Sequence, residues 1–143
     1  YLSDAQALAF SDDGFLTYSG KQIPEESNQI TLDDDILSVF HDDQYVGLAY
    51  KSGKEKQPYE IALYTTGGRE KATFTLDFAF DHVAISKDQI FVYNEKEVGI
   101  YTVKGYCRYR GTIKEGNVEN IFRLSGNRYM VVLDSGTETI RLQ

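Results

Sequence analysis

Short apolar runs of about four to seven residues recur along the chain, and turn residues separate them. Most runs are rich in Val, Ile, Phe, Tyr and Thr, which favour strands on a pleated, half-buried surface. In the first half, the predicted strands are 7–10, 15–18, 36–40, 45–50, 60–64 and 72–76. In the second half, they are 82–86, 89–93, 97–103, 107–113, 120–124, 128–133 and 137–142. No window of a dozen residues carries the apolar stripe of an amphipathic helix, so the pattern predicts an all-β fold.

The connections between these runs carry Gly, Asn and Asp, the residues that tolerate positive φ in tight turns. They include Asp12-Asp13-Gly14, Thr66-Gly67-Gly68, Lys87-Asp88, Lys104-Gly105, Ser125-Gly126-Asn127 and Ser135-Gly136. Segment 24–35 is the most polar stretch of the chain, and we interpret it as a linker between units. Segment 51–58 is basic and contains a glycine, and it is predicted to be a long hairpin loop.

The predicted strands fall into sets that resemble one another. The sets begin at Ile36, His82 and Asn120, about 46 and 38 residues apart, and an incomplete set precedes them. A period near 40 residues with four short antiparallel strands per unit is typical of β-propeller blades. We therefore predict one β domain, 1–143. Its parts are a partial blade 1–23, the linker 24–35, blades 36–81 and 82–117, and a partial blade 118–143.

In two units the third strand ends in an aliphatic residue and a tyrosine, followed by a glycine turn. These segments are Leu63-Tyr64-Thr65-Thr66-Gly67-Gly68 and Ile100-Tyr101-Thr102-Val103-Lys104-Gly105. The first glycine follows the tyrosine by three residues in one unit and by four in the other. The motifs resemble bacterial non-WD propeller repeats of the PQQ-like and YVTN-like kinds, and more particularly the membrane-anchored propeller ectodomains of Firmicutes.

This resemblance implies a propeller fold and a location outside the cytoplasm, with a membrane anchor upstream of Tyr1. A cytoplasmic location is the alternative. The docking motif of true PQQ enzymes contains tryptophans, and this chain has no tryptophan. Quinone-dependent dehydrogenase activity is therefore not predicted.

The length of the chain limits how a propeller ring could close. At about 42 residues per blade, 143 residues supply roughly 3.4 blades, whereas closed rings usually have about four to eight. The ring would be completed by further blades of a longer propeller or by a second chain in a homodimer; otherwise the blades would form an open stack. A β-sandwich is the alternative architecture, because short strands at regular spacing also describe sandwiches.

Charge excludes two classes of partner. The chain has 15 Lys and Arg against 22 Asp and Glu, a net charge of −7. This balance argues against nucleic acid and against anionic membrane surfaces, which both require clustered cations. No apolar run approaches the roughly 18 residues needed to span a bilayer, so this segment is not predicted to insert. With a single cysteine, Cys107, the chain can form neither an intrachain disulfide nor a cysteine-based zinc site.

Two histidines, His41 and His82, are the first candidates for acid-base chemistry or metal binding. His41 with Asp42 or Asp43 would form a catalytic or metal pair, but we favour a hairpin turn for this segment. His82 is expected to be a hydrogen-bonded residue at the start of a strand.

The remaining reactive groups also favour structural roles. Cys107 has no adjacent histidine to activate its thiolate, so we expect Cys107 to be a small residue buried in a strand. The contiguous aspartates at 12–13 and 33–35 lack the alternating ligand spacing of calcium loops, so solvated turns are expected there. The sequence predicts no catalytic residue, no metal site and no cofactor.

Eleven tyrosines are the remaining compositional signal. Four of them close predicted strands, which favours packing between blades: Tyr50, Tyr64, Tyr93 and Tyr101. Tyr106, Arg108 and Tyr109 are the candidates for an exposed binding surface, because aromatic residues can stack on sugars or anchor a partner protein.

A repeat architecture without a catalytic constellation favours a non-enzymatic binding or scaffold module of a bacterial cell-surface protein, with a protein or glycan partner. The alternative is an enzyme or small-ligand binder whose site forms only in the complete ring. A concave cluster of carboxylates and histidines in the structure would favour that alternative.

Overall fold

A computed structural model describes residues 6–11, 14–19, 25–31, 36–52 and 54–142, with side-chain environments from residue 36 onward. The first seven strands are β1 (Gln6–Ser11), β2 (Gly14–Ser19), β3 (Glu25–Thr31), β4 (Ile36–His41), β5 (Tyr45–Lys51), β6 (Tyr59–Thr65) and β7 (Glu70–Leu76). The other seven are β8 (His82–Ser86), β9 (Gln89–Tyr93), β10 (Glu97–Thr102), β11 (Cys107–Thr112), β12 (Val118–Ser125), β13 (Arg128–Leu133) and β14 (Gly136–Arg141). Every regular element in the described residues is a strand, which confirms the all-β prediction.

The strands form four antiparallel sheets, each built from consecutive strands. Sheet 1 has the order β1-β2-β3, sheet 2 β4-β5-β6-β7, sheet 3 β8-β9-β10-β11 and sheet 4 β12-β13-β14. Such meanders are the blades of a β-propeller, in which each unit of the repeat pairs only with itself. A sandwich would instead exchange strands between two sheets by Greek-key connections, so the blade architecture is preferred to the sandwich alternative.

The first connection differs from the sequence prediction. Segment 24–35 was expected to be a linker, but it contains β3, which pairs with β2 from Gly14–Thr31 to Ser19–Glu25. β3 is mostly polar, and its place at the end of the strand order in sheet 1 explains how a strand can form without an apolar pattern. The aspartate turns predicted at 12–13 and 33–35 lie outside the described residues. The predicted loop 51–58 is confirmed: it joins β5 to β6, and the Ser52 N–H donates to the Pro58 carbonyl at 2.9 Å.

The chain divides into two compact units, residues 1–77 and 78–143, whereas the sequence analysis treats it as one domain. In the first unit, buried residues of β5 and β6 form a core: Val46, Leu48, Tyr50, Ala62 and Tyr64. In the second unit, sheets 3 and 4 share one core that includes Phe91, Tyr93, Val98, Ile100, Ile121, Tyr129, Val131 and Ile140. Burial of these apolar side chains is the main stabilising term for such short strands, which could not persist singly.

One backbone hydrogen bond recurs in three sheets and aligns them residue by residue. The Thr66 N–H donates to the Gln44 carbonyl at 3.1 Å in sheet 2, and the Val103 N–H donates to the Asp88 carbonyl at 3.1 Å in sheet 3. In sheet 4 the Leu142 N–H donates to Asn127 at 2.8 Å. Residues at equal distance from these anchors therefore occupy equivalent positions in the three blades.

At one cross-strand pair, the large and the small residue stand on opposite strands in sheets 2 and 3. In sheet 2 Phe40 lies opposite Gly47, and a Cβ on that glycine would overlap the Phe40 ring. In sheet 3 the same two positions hold Ala84 and Phe91. Sheets 2 and 3 thus each place one phenyl ring in this cross-strand pair and keep its partner small, because the space there holds only one ring.

Candidate functional site

The fourth strands of sheets 2 and 3, β7 and β11, are called the outer strands, and they carry the same irregularity. Pairing of β6 with β7 shifts between Leu63 and Tyr64, and pairing of β10 with β11 shifts between Ile100 and Tyr101. One extra residue is left between the paired residues of the outer strand, which is a β-bulge. The two bulges fall at equivalent positions, directly after the glycine turns that the sequence motif marks.

The extra residue is a cation in both blades. It is Lys71 in sheet 2, between Glu70 and Ala72, and Arg108 in sheet 3, between Cys107 and Tyr109. Both cations are exposed. Bulges re-aim side chains away from the ladder, so each blade presents a basic group at the start of its outer strand.

The turns that precede the bulges share their hydrogen bonds. Thr65 Oγ1 accepts from the Arg69 N–H at 3.2 Å, and Thr102 Oγ1 accepts from the Tyr106 N–H at 3.1 Å. Within these two turns, the glycines with positive φ are Gly68 at 85° and Gly105 at 90°, and each follows the motif tyrosine by four residues. The difference in spacing noted in the sequence comes from Gly67, which is not the equivalent glycine.

The three residues proposed from sequence for binding have different environments. Tyr106 is 68% exposed, the highest value among the large hydrophobic residues whose burial the structure describes, and Arg108 is exposed beside it. Tyr109 is half-buried: it packs against the core of the second unit, and its hydroxyl lies over Gly111. We therefore call Tyr106 and Arg108 the bulge surface and assign Tyr109 a packing role.

Cys107 was expected to be buried, and that prediction was wrong. The thiol is exposed and lies 3.5 Å from the Tyr109 carbonyl. The reason is its position on β11, which is the last strand of sheet 3 and pairs only with β10 among the strands that the structure describes. On such a strand, the small size of a residue does not ensure that it is buried.

The hairpin interpretation of the first histidine segment is confirmed. His41 ends β4, and Asp42 Oδ1 accepts hydrogen bonds from the Gln44 and Tyr45 N–H groups, each at 2.8 Å. The Asp42 carboxylate is thereby used to hold the turn. His82 begins β8, and its ring lies 5.1 Å from the ring of Tyr93.

The four strand-closing tyrosines are buried, as the packing interpretation requires. Their exposed fractions are 8% for Tyr50, 8% for Tyr64, 6% for Tyr93 and 7% for Tyr101. Burial raises the pKa of Tyr93, and burial followed by the charges of Glu70 and Glu60 raises the pKa of Tyr64. Both phenols therefore stay protonated at neutral pH and act as packing groups.

A network of polar groups fixes the hairpin between β9 and β10. Glu97 Oε1 accepts from Arg110 at 2.8 Å, and Glu97 Oε2 accepts from the Asn94 side-chain amide at 3.1 Å. The Asn94 amide also donates to the Ala79 carbonyl at 2.6 Å, while the Arg110 guanidinium lies 3.8 Å from the Phe78 ring centroid. The hydrogen bond from Arg110, then that from Asn94, holds the pKa of Glu97 below its usual range.

Sheet 4 has an open groove of about 630 Å³ at one end, lined by Ser125, Asn127, Arg128, Arg141 and Leu142. Across the described part of the chain, no three His, Cys, Asp or Glu side chains converge on a point where a metal ion could bind. Among the same residues, none forms a helix of the length and hydrophobicity that a bilayer crossing requires.

Comparison with solved structures places the fold among β-propeller proteins. The chain aligns over its full length with 94% of the computationally designed Ika4 protein, at a TM-score of 0.56 and 13% identity. It aligns with a fragment of HIRA at a TM-score of 0.61 and 11% identity, and with BamB from Moraxella catarrhalis at 0.58 and 14%. These alignments use 88% and 94% of this chain but only 41% and 45% of the HIRA and BamB chains, so it spans less than half of either.

These matches define a partial β-propeller built from four-stranded and three-stranded blades. The chain belongs to the Family of unknown function DUF5711, whose model matches residues 1–142. No curated protein matches it.

Sequence reasoning predicted the exposure of Tyr106 and Arg108 but missed the repeated bulge and its second cation, Lys71. The signal was present: aligning Gly68 with Gly105 places Arg69-Glu70-Lys71 over Tyr106-Cys107-Arg108.

Proposed function

We propose that the chain is a non-enzymatic binding module of a bacterial cell-surface protein, and that the bulge surface, Tyr106 and Arg108, binds a partner protein. The observation that carries this proposal is the exposure of Tyr106, 68%, beside an exposed arginine at a bulge. Tyrosine and arginine are enriched among the residues that dominate binding energy in protein interfaces. An arginine can also hold a partner's carboxylate by two parallel hydrogen bonds.

The backbone under this surface is held in place before any partner binds. The Tyr106 N–H donates to Thr102 Oγ1 at 3.1 Å, and the Gly105 N–H donates to the Thr102 carbonyl at 2.9 Å. A preorganised surface loses less conformational entropy on binding. The equivalent turn of sheet 2 carries Arg69 and Lys71, so one backbone design presents different side chains in different blades.

An extracytoplasmic location is part of this proposal. It is supported by the resemblance of the tyrosine-glycine motifs to membrane-anchored propeller ectodomains. Cys107 provides the test, because it is exposed. A membrane-impermeant maleimide added to intact cells should label the natural protein at Cys107, and the Cys107→Ser variant should lose that label. Labelling that appears only after lysis would place the protein in the cytoplasm.

Site-specific photocrosslinking in the producing cells tests the binding role. A benzophenone amino acid at position 106 should yield a discrete protein adduct, and the same amino acid at exposed position 119 on β12 should not. Arg108→Glu should weaken the adduct at position 106 at least about tenfold, since a carboxylate-binding cation is lost. Identical adducts at both positions, or none at position 106, would overturn the proposal.

A further inference from the structure

A groove lies between the turn that joins β8 to β9 in sheet 3 and the turn that joins β12 to β13 in sheet 4. It has a volume of about 430 Å³ and is lined by residues 86–88, by Arg123 and by residues 124–126. Sheets 3 and 4 both belong to the second compact unit. The two walls of the groove are therefore formed by residues that the structure describes.

Arg123 is held in place across this groove. Its Nε donates to the Gly126 carbonyl at 3.2 Å, and its Nη1 donates to Asp88 Oδ1 at 2.9 Å. The side chain is only 25% exposed. Its Nη2 carries two further N–H donors that neither of these bonds uses. An arginine fixed in this way can bind an anion with little further loss of conformational entropy.

Lys87 occupies a backbone position that favours glycine. Its φ is 58°, and the residue at the equivalent position of sheet 4 is Gly126, with a φ of 52°. Each of the two stands one position before the carbonyl that accepts the recurring backbone hydrogen bond, Asp88 in sheet 3 and Asn127 in sheet 4. Glycine adopts this conformation readily, whereas a residue with a side chain is strained there, and such strain is concentrated at functional sites. The lysine at this turn therefore points to a role for its ammonium group.

The charges of the groove fit a single carboxylate. Lys87 and Arg123 supply two positive charges and Asp88 one negative charge, so one positive charge remains. Among the described residues, the Lys87 ammonium group has no hydrogen-bond or ion-pair partner. The hydroxyls of Ser86 and Ser125 add hydrogen-bond donors. A phosphate dianion would exceed the remaining charge and would be repelled by the Asp88 carboxylate.

The groove lies at the same end of sheet 3 as the bulge surface. Gln89, which follows the first turn, pairs with Thr102, and the Thr102 N–H donates to the Tyr106 carbonyl at 2.8 Å. Neighbouring strands are about 4.8 Å apart, so the backbones of Gln89 and Tyr106 are about 10 Å apart. An extended segment covers that distance in about three residues. One segment of a partner can therefore contact both the bulge surface and the groove.

We propose that this groove binds an aspartate or glutamate side chain of the partner protein, and that Lys87 and Arg123 hold its carboxylate. The acidic residue belongs to the segment that contacts Tyr106 and lies about three positions along it. That the ligand is part of a protein rests on the proposed function, whereas the preference for a carboxylate rests on the charges of the groove.

Zero-length crosslinking in the producing cells tests this contact directly. A water-soluble carbodiimide activates a carboxylate, and a lysine amine in contact with it displaces the activating group as a urea and forms an amide. Mass spectrometry should find Lys87 joined to an aspartate or glutamate of one other protein. Lys87→Arg keeps the positive charge but lacks the amine, so this product should disappear. Lys114 is the matched control: it is exposed after β11, at the opposite end of sheet 3, and should not be joined to the same segment.

The groove and the bulge surface fail in different ways. A benzophenone adduct at position 106 without an amide at Lys87 would leave the bulge surface as a binding site and overturn the groove proposal. An amide at Lys87 without an adduct at position 106 would support the groove and overturn the role of Tyr106. Amides to the same proteins at Lys87 and Lys114, or no product at any of these positions, would overturn the groove proposal.

Lys87→Gly provides a second readout, which a purely structural lysine would not give. The midpoint of urea unfolding should rise, because glycine relieves the unfavourable φ. The yield of the adduct at position 106 should fall at least about fivefold, because a charged hydrogen bond to the partner is lost. Lys114→Gly should leave that yield unchanged. A lower midpoint for Lys87→Gly would show that Lys87 stabilises the fold, and an unchanged yield would show that its charge does not bind; either result would overturn the proposal.

Discussion

The hydroxyl of Tyr129 donates a hydrogen bond to Oε1 of Gln89, forty residues away in the chain. Gln89 begins β9 in sheet 3 and Tyr129 lies near the start of β13 in sheet 4. Gln89 is 5% exposed and Tyr129 is fully buried, so this bond joins two blades inside the core of the second unit. The Tyr129 ring also contacts Phe91 edge to face, at 5.7 Å between centroids.

Removing the Tyr129 hydroxyl should destabilise the second unit more than the small loss of side-chain volume suggests. Tyr129→Phe leaves the buried Gln89 oxygen without its partner, and we expect a loss of about 1–3 kcal/mol in the free energy of unfolding, measured in urea. Tyr106→Phe is the control, since its hydroxyl is exposed and its loss should change stability by less than about 0.5 kcal/mol. The double variant Gln89→Leu/Tyr129→Phe should recover part of the loss. Equal effects of the two tyrosine variants would contradict a structural role for the bond.

The Phe40–Gly47 pair predicts a non-additive result. Gly47→Ala forces the Phe40 ring out of its position and should cost about 1–3 kcal/mol, as overpacking does. Phe40→Ala should cost about 3–5 kcal/mol through the cavity it leaves. The double variant should be more stable than the sum of the two losses predicts, because the added methyl group then enters vacated space.

Gly67→Ala serves as the control for this pair. Gly67 lies in the same blade, and the nearest atom to a Cβ there is Thr65 Oγ1 at 3.9 Å. Urea unfolding should find this variant within about 0.5 kcal/mol of the natural sequence. Additive losses for Phe40→Ala and Gly47→Ala would mean that the two residues do not share one space.

The Glu97–Arg110 pair should make stability depend on pH. The pKa of Glu97 is lowered in the folded chain from its ordinary value of 4.5, chiefly by the hydrogen bond from Arg110. A carboxyl with a lowered folded pKa stabilises the fold while it is ionised. Its contribution is therefore fully present well above pH 4.5 and is lost as the pH falls through the lower, folded pKa.

Glu97→Gln should accordingly lower the free energy of unfolding at pH 7 by at most about 1 kcal/mol, because about a third of each side chain is exposed and water screens the pair. The difference from the natural chain should shrink below pH 4.5 and in 1 M salt. Glu119→Gln, at an exposed position of β12, is the matched control. A difference between Glu97→Gln and the natural chain that stays constant from pH 7 to pH 3 would show that the charge of Glu97 plays no part.

Cys107 should react rapidly with a thiol reagent in the folded protein. Its side chain is exposed on the outer strand of sheet 3, so the native chain should release one equivalent of thionitrobenzoate per chain from Ellman's reagent without denaturant. Cys107→Ser should release none. Reaction that requires denaturant would instead agree with the burial expected from the sequence.

Local patterns were sufficient for most of the fold. Thirteen of the fourteen strands in the described residues were predicted, since alternation and turn residues act over a few neighbouring positions. The exception is β3, whose sequence EESNQIT is mostly polar. It forms a strand through backbone pairing with β2, which a local apolar pattern does not reveal. Of the three residues predicted to be exposed, Tyr106 and Arg108 are exposed and Tyr109 is half-buried.

The sequence by itself determined where most of the described strands lie and which tyrosines stand near their ends, because strand propensity and turn chemistry are properties of adjacent residues. Only the tertiary structure decided that Cys107 is exposed, that Tyr109 packs over Gly111 and that Gln89 bonds to Tyr129. Each of these depends on which strands lie beside a residue. That arrangement is fixed by burial of apolar surface between segments far apart in the chain.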